Sequence, residues 1–360
     1  MSLISCLLFL IITIAVLYCL RIYFKGGQCK IKHSMKGKVI IVTGASAGIG
    51  KESALDLVRQ GGQVILGCRN ELKTKEAMKS LNEEEQKLIK FIKLDLCDFD
   101  SIIKFAEEVR KQYPKIDILM NNAGLFPQKY NITKDGIESY LQGNFTGHVL
   151  LTFLLFDILD KNDARIINLS SLAYAGTDFI DDINIKELYD VKKSEIKYFQ
   201  KGIQGKGKLY SNTKILMIYF SKYLKELCDK KFNYIKSAAV HPGGVDTEFM
   251  RFLEEDNYKF GLYFFKLLTP ITKLMFKTPI DGAQTQLNLC YLPFSEFVSG
   301  AYYSDCHVTK IKDFANDMNK VKSCMELTIE EIKKKIPETK IFDILNDVFD
   351  EKEINIIKEE

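Results

Sequence analysis

The stretch TGASAGIG, residues 43–50, decides the fold of this 360-residue chain. It follows a short run rich in β-branched residues, KVIIVT (38–43), and it opens a helical pattern that continues to about Arg59. Three glycines allow tight backbone angles and the close approach of a pyrophosphate: Gly44, Gly48 and Gly50. The helix that follows presents free N–H groups and a positive dipole end to that phosphate. The stretch therefore predicts a dinucleotide-binding turn between the first strand and the first helix of an α/β domain.

The alternation of strand and helix continues along the chain. Short apolar runs predict six strands, at residues 38–43, 63–67, 90–94, 117–120, 165–169 and 235–240. Helical patterns lie between them, at about 49–59, 71–81, 99–112, 134–159 and 211–229. This alternation predicts βαβ units and a doubly wound parallel sheet. No internal repeat or low-complexity linker divides residues 37–310, so we expect one domain there.

The end of the second predicted strand bears on the choice of cofactor. An acidic residue at this position would bind the adenosine 2′-hydroxyl and select NAD. The chain instead has GCRN (67–70), in which Arg69 would pair with a 2′-phosphate through charge-assisted hydrogen bonds. Lys51, just after the glycine turn, would add a second positive charge. We therefore expect NADP(H) as the cofactor, and the alternative is that Arg69 is an ordinary surface arginine.

The first segment has the pattern of a membrane anchor. Residues 3–20 carry no charge, and as a helix they would span about 27 Å at a rise of ~1.5 Å per residue, which matches a thin bilayer. The alternative is a cleaved signal peptide, which would carry its positive charge before the apolar run and end in a small-x-small site. Here six basic residues and no acidic residue follow within residues 21–38. We expect a single-pass protein of the endoplasmic reticulum membrane, and by the positive-inside rule the domain that follows the anchor faces the cytosol.

Charge and cysteine content argue against other functions. Outside residues 21–38 the chain has 45 basic and 47 acidic residues, so it has no basic body for binding a nucleic acid. Its nine cysteines are scattered, no Cys-x-x-Cys pair occurs, and the four histidines do not cluster with cysteines. This pattern argues against a metal site or a disulfide framework and indicates reduced thiols.

The chain is expected to have four parts. They are a membrane anchor (1–24), a basic juxtamembrane linker (25–36), an NADP-binding domain (37–310) and a charged helical tail (311–360) to which the sequence assigns no task. Within the domain, the apolar segment 261–276 is too interrupted by lysines to span a membrane. It is either a substrate lid on the bilayer surface or part of the core.

Five motifs follow one another in order: TGASAGIG (43–50), NNAG (121–124), NLSS (168–171), YSNTK (210–214) and HPGGVDT (241–247). Together they resemble the motifs of the short-chain dehydrogenase/reductase family, over about residues 37–308. The N-terminal anchor, GCRN and GAYYSDCHV (300–308) look most like those of microsomal retinol dehydrogenases. The resemblance implies a single Rossmann-type sheet of about seven strands and an aldehyde, ketone or alcohol as the substrate.

The resemblance also implies a catalytic tetrad: Asn144, Ser171, Tyr210 and Lys214. Hydride transfer to a carbonyl makes an alkoxide that needs a proton donor, and a free phenol with a pKa near ~10 is a poor base for the reverse reaction. Lys214 lies one helical turn after Tyr210, on the same helix face. An ammonium at ~4 Å supplies about 4 kcal/mol at an effective dielectric constant of about 20, enough to lower the phenol pKa by about 3 units.

The other site residues are implied by the same resemblance. Ser171 would polarise the substrate oxygen, and Asn144 would hold a water of the proton relay; Asn144 could equally satisfy a helix irregularity, and the two roles are compatible. Asp95 would approach the adenine; the stretch DLCD (95–98) could also be a plain helix N-cap, and the two roles are compatible. His241 is interpreted as structural. The full set expected to bind the cofactor is Gly44, Ser46, Gly48, Ile49, Gly50, Arg69, Asp95, Asn121, Ala123, Gly124, Tyr210, Lys214 and Thr247.

One departure from the family is the separation of 39 positions between Ser171 and Tyr210. The extra residues lie within 186–208, are rich in lysine and glycine, and predict a flap beside the substrate mouth. We expect an oxidoreductase that interconverts retinal and retinol, or similar lipophilic aldehydes or ketones and alcohols. A steroid or fatty carbonyl is the alternative substrate, and a catalytically silent NADP-binding scaffold is the alternative function. A homodimer is left open.

Overall fold

The fold is described from a computed structural model, which covers residues 3–126, 128–178, 185–245 and 275–336, without the side chains of residues 3–10. The strands are β1 (Val39–Thr43), β2 (Gln63–Cys68), β3 (Ile89–Lys93), β4 (Ile118–Asn121), β5 (Ala164–Leu169), β6 (Ile235–His241), β7 (Tyr302–Ser304) and β8 (His307–Val308). They form one sheet in the order β3-β2-β1-β4-β5-β6-β7-β8. All pairs are parallel except β7 with β8, so the predicted doubly wound sheet is confirmed. It has eight strands instead of about seven, because a hairpin adds β8 at the edge.

The helices are α1 (Leu3–Lys25), α2 (Gly48–Arg59), α3 (Glu71–Ala77), α4 (Glu83–Gln86), α5 (Phe99–Gln112), α6 (Ser139–Leu141), α7 (Gly147–Leu154), α8 (Lys186–Tyr189), α9 (Val191–Ser194), α10 (Gly202–Lys231), α11 (Pro279–Tyr291) and α12 (Met318–Lys335). Within the described ranges, two π-helical turns occur, Gln142–Thr146 and Glu195–Phe199. Helices cover both faces of the sheet, and each face has its own hydrophobic core.

The first strand lies at the centre of the sheet. Every residue of β1 is buried, because β2 and β4 pair with its two edges and both faces are covered. Such a strand needs side chains that pack on both faces, and the β-branched run VIIVT supplies them. Ile41 points into one core and Ile40 into the other. The carboxyl end of β1 is thus fixed in the middle of the molecule.

The helix predicted for residues 134–159 is interrupted. Gly136 has a φ of +73° in a turn, and the backbone of Glu138 is extended, so the helix begins only at Ser139. The segment then packs directly on the chain after β3: a Cβ on Gly147 would lie 2.5 Å from the carbonyl oxygen of Leu96. The π-helical turn Gln142–Thr146 is located in this tightly packed stretch. Sequence periodicity does not reveal such a turn, because the apolar residues around it keep the helical spacing.

The segment predicted to be a flap, residues 186–208, is largely helical where the structure describes it. It contains α8, α9 and the second π-turn, and α10 begins at Gly202, nine residues before the predicted start. Gly205 allows this packing, since a Cβ there would lie 2.4 Å from the carbonyl oxygen of Tyr198. The Tyr198 hydroxyl accepts a hydrogen bond from Nδ2 of Asn212, 3.0 Å away. The insertion therefore packs against the helix that carries the YSNTK motif.

The first part of the predicted tail is an integral part of the core. Helix α12 packs against α10, and its buried residues include Val321, Met325 and Ile332. Its Thr328 receives a hydrogen bond of 3.4 Å from the Tyr189 hydroxyl, which also contacts Oγ1 of Thr146 at 2.8 Å. One phenol thus joins the insertion, the first π-turn and the C-terminal helix.

At the N-terminus, α1 covers Leu3–Lys25 and leads into an extended segment that lies against the domain. In the described portion of the chain, no helix reaches the length and apolar character needed to cross a membrane. The eight cysteines whose side chains are described are free thiols.

The contribution of α12 can be tested with one core substitution. Met325 is fully buried, so Met325→Ala should lower the free energy of unfolding by about 2–5 kcal/mol. Glu326→Ala on the exposed face of the same helix is the matched control, with an expected change within about 0.5 kcal/mol. Urea unfolding followed by circular dichroism measures both. Equal stabilities for the two variants would mean that α12 does not belong to the folded core.

Candidate active site

The carboxyl ends of β1, β4, β5 and β6 meet at one edge of the sheet, and the glycine turn closes against the loop after β4. Gly44 has a φ of +72°, and a Cβ there would lie 2.9 Å from Cα of Ala123. A Cβ on Gly50 would lie 2.4 Å from Nδ2 of Asn122. Side chains would collide at both positions, so the two glycines let the two loops touch.

The start of α2 has the features of a phosphate site. The helix begins at Gly48, whose φ is +57°, and Ala47 before it provides no side-chain cap. The first turn has no acidic residue, so its unpaired N–H groups and positive dipole end remain available to an anion. Ser46 and Ile49, in the same turn, are partly buried. These residues fit the pyrophosphate of a nicotinamide dinucleotide.

A buried threonine joins this turn to its neighbours. Oγ1 of Thr43, the last residue of β1, accepts hydrogen bonds from the backbone N–H groups of Asn122 and Ala123, both at 2.9 Å. It also lies 3.1 Å from Nε2 of His148. The other ring nitrogen, Nδ1, lies 3.3 Å from the carbonyl oxygen of Asn144, which can only accept. His148 therefore carries its proton on Nδ1 and accepts at Nε2 from the Thr43 hydroxyl.

His148 stays neutral at physiological pH. Burial lowers its pKa to about 3, and the positive charge of Lys214 acts in the same direction. The sequence analysis did not single out this residue, since a lone histidine inside an apolar helix gives no signal of its partners. It links the end of β1 to the π-turn that carries Asn144.

The side chain of Asn121 lies inside the sheet. Its Nδ2 donates to Oδ1 of Asn168 at 2.8 Å and to Oγ1 of Thr152 at 3.1 Å. Asn121 therefore ties β4 to β5, and only its neighbours reach the loop: a Cβ on Gly124 would lie 3.2 Å from Nζ of Lys214. The NNAG motif thus brings Ala123 and Gly124 to the site, with Asn121 beneath them.

Asn144 lies on the first π-turn and is buried. Its Oδ1 accepts from the N–H of Leu125, and its Nδ2 donates to the carbonyl oxygen of the same residue, both at 2.8 Å. Nδ2 also lies 3.4 Å from Oγ1 of Thr213, which precedes Lys214. The helix irregularity anticipated for Asn144 is present, and its amide holds the loop after β4.

Ser171 lies just after β5 at the start of a short 3₁₀ turn, Leu172–Gly176. Its Oγ accepts a hydrogen bond from the N–H of Ala173 at 3.2 Å and interacts with the Tyr210 hydroxyl. The next residue, Leu172, donates its N–H to Nδ1 of His241 at 3.2 Å. Burial and the nearby Lys277 ammonium lower the pKa of His241 to about 4, so it remains an acceptor. His241 has the structural role expected for it: it holds the backbone beside Ser171.

Tyr210 and Lys214 lie one turn apart on α10, as predicted. Nζ of Lys214 lies 5.4 Å from the centre of the Tyr210 ring and donates to the carbonyl oxygen of Leu169 at 2.9 Å. Burial lowers the pKa of Lys214 to about 8, so the ammonium remains mostly charged at pH 7. Burial raises the pKa of Tyr210, and the hydrogen bond with Ser171 opposes this rise. The expected lowering by Lys214 is not found, because the ammonium lies over the ring instead of beside the hydroxyl.

The residues expected around the adenosine lie further along the same edge. Arg69 is exposed directly after β2, and no carboxylate occupies the end of that strand. Oδ1 of Asp95 accepts from the N–H of Cys97, whereas Asp98 is the N-cap of α5. The helix cap anticipated for residues 95–98 is therefore present and is supplied by Asp98. Thr247 and most of the predicted lid, 261–276, lie outside the described residues.

Apolar side chains surround the catalytic candidates. The Phe126 ring lies 5.5 Å from the Tyr210 ring. Leu125, whose backbone bonds the Asn144 amide, is exposed by 51%, and Leu172, which follows Ser171, is exposed by 61%. The loop after β4 also contacts the insertion, through the Tyr130 and Phe199 rings at 5.1 Å. An apolar substrate would find an apolar rim here.

Several known proteins are similar to this chain in sequence or in fold. Residues 38–177 match the model of the short chain dehydrogenase family. Mouse retinol dehydrogenase 13 is 36% identical over 79% of this chain and 80% of its own length, and human retinol dehydrogenase 12 is 33% identical over 83% and 87%. The fold is similar to L-sorbose reductase of Gluconobacter frateurii, solved with NADPH and L-sorbose, with a TM-score of 0.56, 21% identity and coverage of 75% of this chain and 95% of that one. Salutaridine reductase of Papaver somniferum gives a TM-score of 0.54 at 21% identity, over 74% and 99%.

Burial of Lys214 makes a prediction about stability. Its pKa is about 8 in the folded protein and about 10.4 in the unfolded chain, so the charged form costs folding roughly 3 kcal/mol at pH 7. Lys214→Met removes this cost but leaves the Leu169 carbonyl without its donor, a loss of about 1–3 kcal/mol. The variant should therefore be at least as stable as the wild type at pH 7, although inactive.

The pH dependence has a definite sign. Between pH 8 and 10.4 the unfolded chain retains the Lys214 proton and the folded protein releases it, so wild-type stability rises with pH. Any advantage of Lys214→Met should shrink by about 1 kcal/mol between pH 7 and pH 9. Denaturant titrations at both pH values measure it, with the conservative Lys214→Arg variant, which stays charged, as the control. A variant clearly less stable than the wild type at pH 7 would contradict the prediction.

Proposed function

The chain belongs to the short-chain dehydrogenase/reductase family, and from this premise we propose that it is a membrane-anchored, NADP(H)-dependent oxidoreductase of retinal or similar lipophilic carbonyl compounds. It would interconvert them with the corresponding alcohols. The observation that carries the proposal is the cluster of Ser171, Tyr210 and the buried Lys214 ammonium, at the same carboxyl edge of the sheet as the uncapped start of α2. Two relatives of more than 30% identity are retinol dehydrogenases, which supports the substrate class.

In the proposed mechanism, the nicotinamide, when bound, supplies the hydride in reduction and accepts it in oxidation. Ser171 donates a hydrogen bond to the carbonyl oxygen and polarises the C=O bond. Tyr210 gives its phenolic proton to that oxygen as negative charge develops there. Lys214 can donate to ribose hydroxyls, since Leu169 takes only one of its three N–H donors. Asn144 keeps the loop after β4 in place around Lys214.

The cofactor preference rests on the exposed Arg69 at the end of β2. A guanidinium there pairs with a 2′-phosphate, and no carboxylate is present to bind a ribose 2′-hydroxyl. The substrate preference rests on the apolar rim formed by Leu125, Phe126 and Leu172. The rim suits a steroid or fatty carbonyl as well, which remains the alternative substrate. A silent scaffold would have no use for a buried charged lysine beside a half-buried phenol.

The proposed location is the endoplasmic reticulum membrane, with α1 as the anchor. Described residues of α1 expose large apolar side chains, among them Ile12, Val16 and Tyr18. The six basic residues of 21–38 support a cytosolic orientation of the domain. The four-part division of the chain at 24, 36 and 310 stays a proposal as well, with α12 packed on the domain that precedes it.

The chemistry is tested by removing one hydroxyl. Tyr210→Phe should lower the turnover of all-trans-retinal with NADPH by at least about 100-fold while NADPH still binds, because only the proton donor is lost. Tyr219 lies on the same helix as Tyr210, and its hydroxyl donates to the carbonyl oxygen of Phe314. Tyr219→Phe is therefore the control and should keep its activity. Absorbance at 340 nm reports turnover, and nucleotide fluorescence reports binding. Wild-type turnover in Tyr210→Phe would refute the catalytic assignment.

The cofactor preference is tested by reversing one charge. A charge-assisted hydrogen bond contributes about 1.5–3 kcal/mol, which predicts a preference for NADPH over NADH of about ten- to a hundredfold in kcat/KM. Arg69→Asp should reverse the preference. Arg59→Asp makes the same charge change at an exposed residue at the end of α2 and should leave the preference unaltered. Equal kcat/KM values for the two cofactors in the wild type would contradict the proposal.

A further inference from the structure

Residues 21–29, which we call the strap, comprise the end of α1 and the four residues after it, and they lie against the domain. Their main anchor point is Asp281 in the first turn of α11, a buried carboxylate. Oδ2 of Asp281 lies 3.2 Å from Nη2 of Arg21, and Oδ1 lies 3.8 Å from Nζ of Lys25. Nη1 of Arg21 also donates to the carbonyl oxygen of Phe276 at 2.8 Å. Both cations that pair with Asp281 in the described chain thus come from the strap.

A second anchor point depends on two adjacent glycines. The N–H of Gly27 donates to Oδ1 of Asp305 at 3.0 Å, and the same oxygen lies 2.6 Å from Nζ of Lys277. A Cβ on Gly27 would lie 2.0 Å from the backbone oxygen of Asp305, and Gly26 has a φ of +68°. Any side chain at position 27 would collide with backbone, so the strap fits here only as glycine.

The strap lies one side chain away from the catalytic edge of the sheet. Lys277, itself buried, contacts Asp305 on one side and fills the space beside Gly243 on the other, where a Cβ would lie 2.5 Å from its Cε. Gly243 follows β6 by two residues, and His241 at the end of β6 holds the backbone beside Ser171. The end of α1 is therefore fixed close to the loops that form the candidate site.

The neighbourhood of the strap fits a lipid surface. Of the six basic side chains of residues 21–38, Arg21, Lys25, Lys32 and Lys38 pair with carboxylates of the domain. The exposed Lys30 and Lys36 can attract anionic lipid headgroups, and the segment carries no acidic residue. Two apolar residues that flank the attachment, Met275 and Ile280, are exposed by 49% and 58%. An apolar pair beside a basic segment at the end of an apolar helix is the composition expected at a membrane interface.

We propose that the strap holds the carboxyl edge of the sheet, at β6 and β7, against the bilayer, so that a lipophilic substrate enters the site directly from the lipid. The inference rests on the proposed function and adds to it the route of the substrate. A free linker would let the domain rotate away from the membrane. The two anchor points remove that freedom, because they fix α1 to α11 and to the β7–β8 turn.

The test uses the full chain with Gly27→Val, which blocks docking without changing any charge. His33→Val, at an exposed position shortly after the strap, is the matched control. Retinal reduction by NADPH is measured twice, in vesicles of phosphatidylcholine and phosphatidylserine and in detergent micelles. Hydrogen exchange of the peptide covering residues 22–34 reports docking independently of activity.

For Gly27→Val we expect the rate of retinal reduction in vesicles to fall by about fivefold or more, with the rate in micelles unchanged. Hydrogen exchange of the peptide covering residues 22–34 should become about tenfold faster, equivalent to roughly 1.4 kcal/mol. His33→Val should match the wild type in every measurement. Equal ratios of vesicle to micelle rates in Gly27→Val and wild type would overturn the proposed route. A wild-type strap that exchanges as fast as that of Gly27→Val would overturn the docking itself. Absence of retinal turnover in both media, with a protected strap, would refute the proposed function and support the docking.

Discussion

The rest of the site depends on the hydrogen bonds of the Thr43 hydroxyl. It ends the central strand, receives two backbone N–H groups from the loop after β4, and donates to His148. Because β1 is buried on both faces, this hydroxyl has no water to bind, and its partners must be placed accurately. The glycine turn, the NNAG loop and the π-turn of Asn144 are thereby held to one point. The proposed phosphate-binding half and the proposed catalytic half of the site share that point.

The sequence predicted the parts of this arrangement that repeat a period. Strands 38–43, 63–67 and 165–169 were located to within a residue or two, because buried parallel strands are continuous apolar runs. The approach of Tyr210 and Lys214 followed from helix geometry. The sequence could not show that the Asn121 amide faces Asn168, since that depends on the side of β4 to which its last residue points.

The remaining differences come from contacts between segments far apart in sequence. The sequence analysis placed the start of α10 nine residues too late. The glycines before Tyr210 have low helix propensity, and the lysines among them leave no apolar periodicity to indicate a helix. In the folded chain Gly205 packs on Tyr198, and the insertion supports the helix. The sequence also assigned no task to the residues of α12, whose Met325 and Ile332 complete a core built largely by earlier elements. Tertiary burial overrides local preference in both places.

The strap also has a consequence for how the protein is made. Its residues leave the ribosome early, but their partners are far behind: Arg21 and Asp281 are 260 positions apart, and Gly27 and Asp305 are 278 apart. Thr328, which braces the Tyr189 contact to the first π-turn, is synthesised later still. Contacts this distant form only when nearly the whole chain is available. If α1 inserts as it emerges, the nascent protein is tethered to its membrane long before the partners of the strap and the Thr328 brace of α12 have been synthesised.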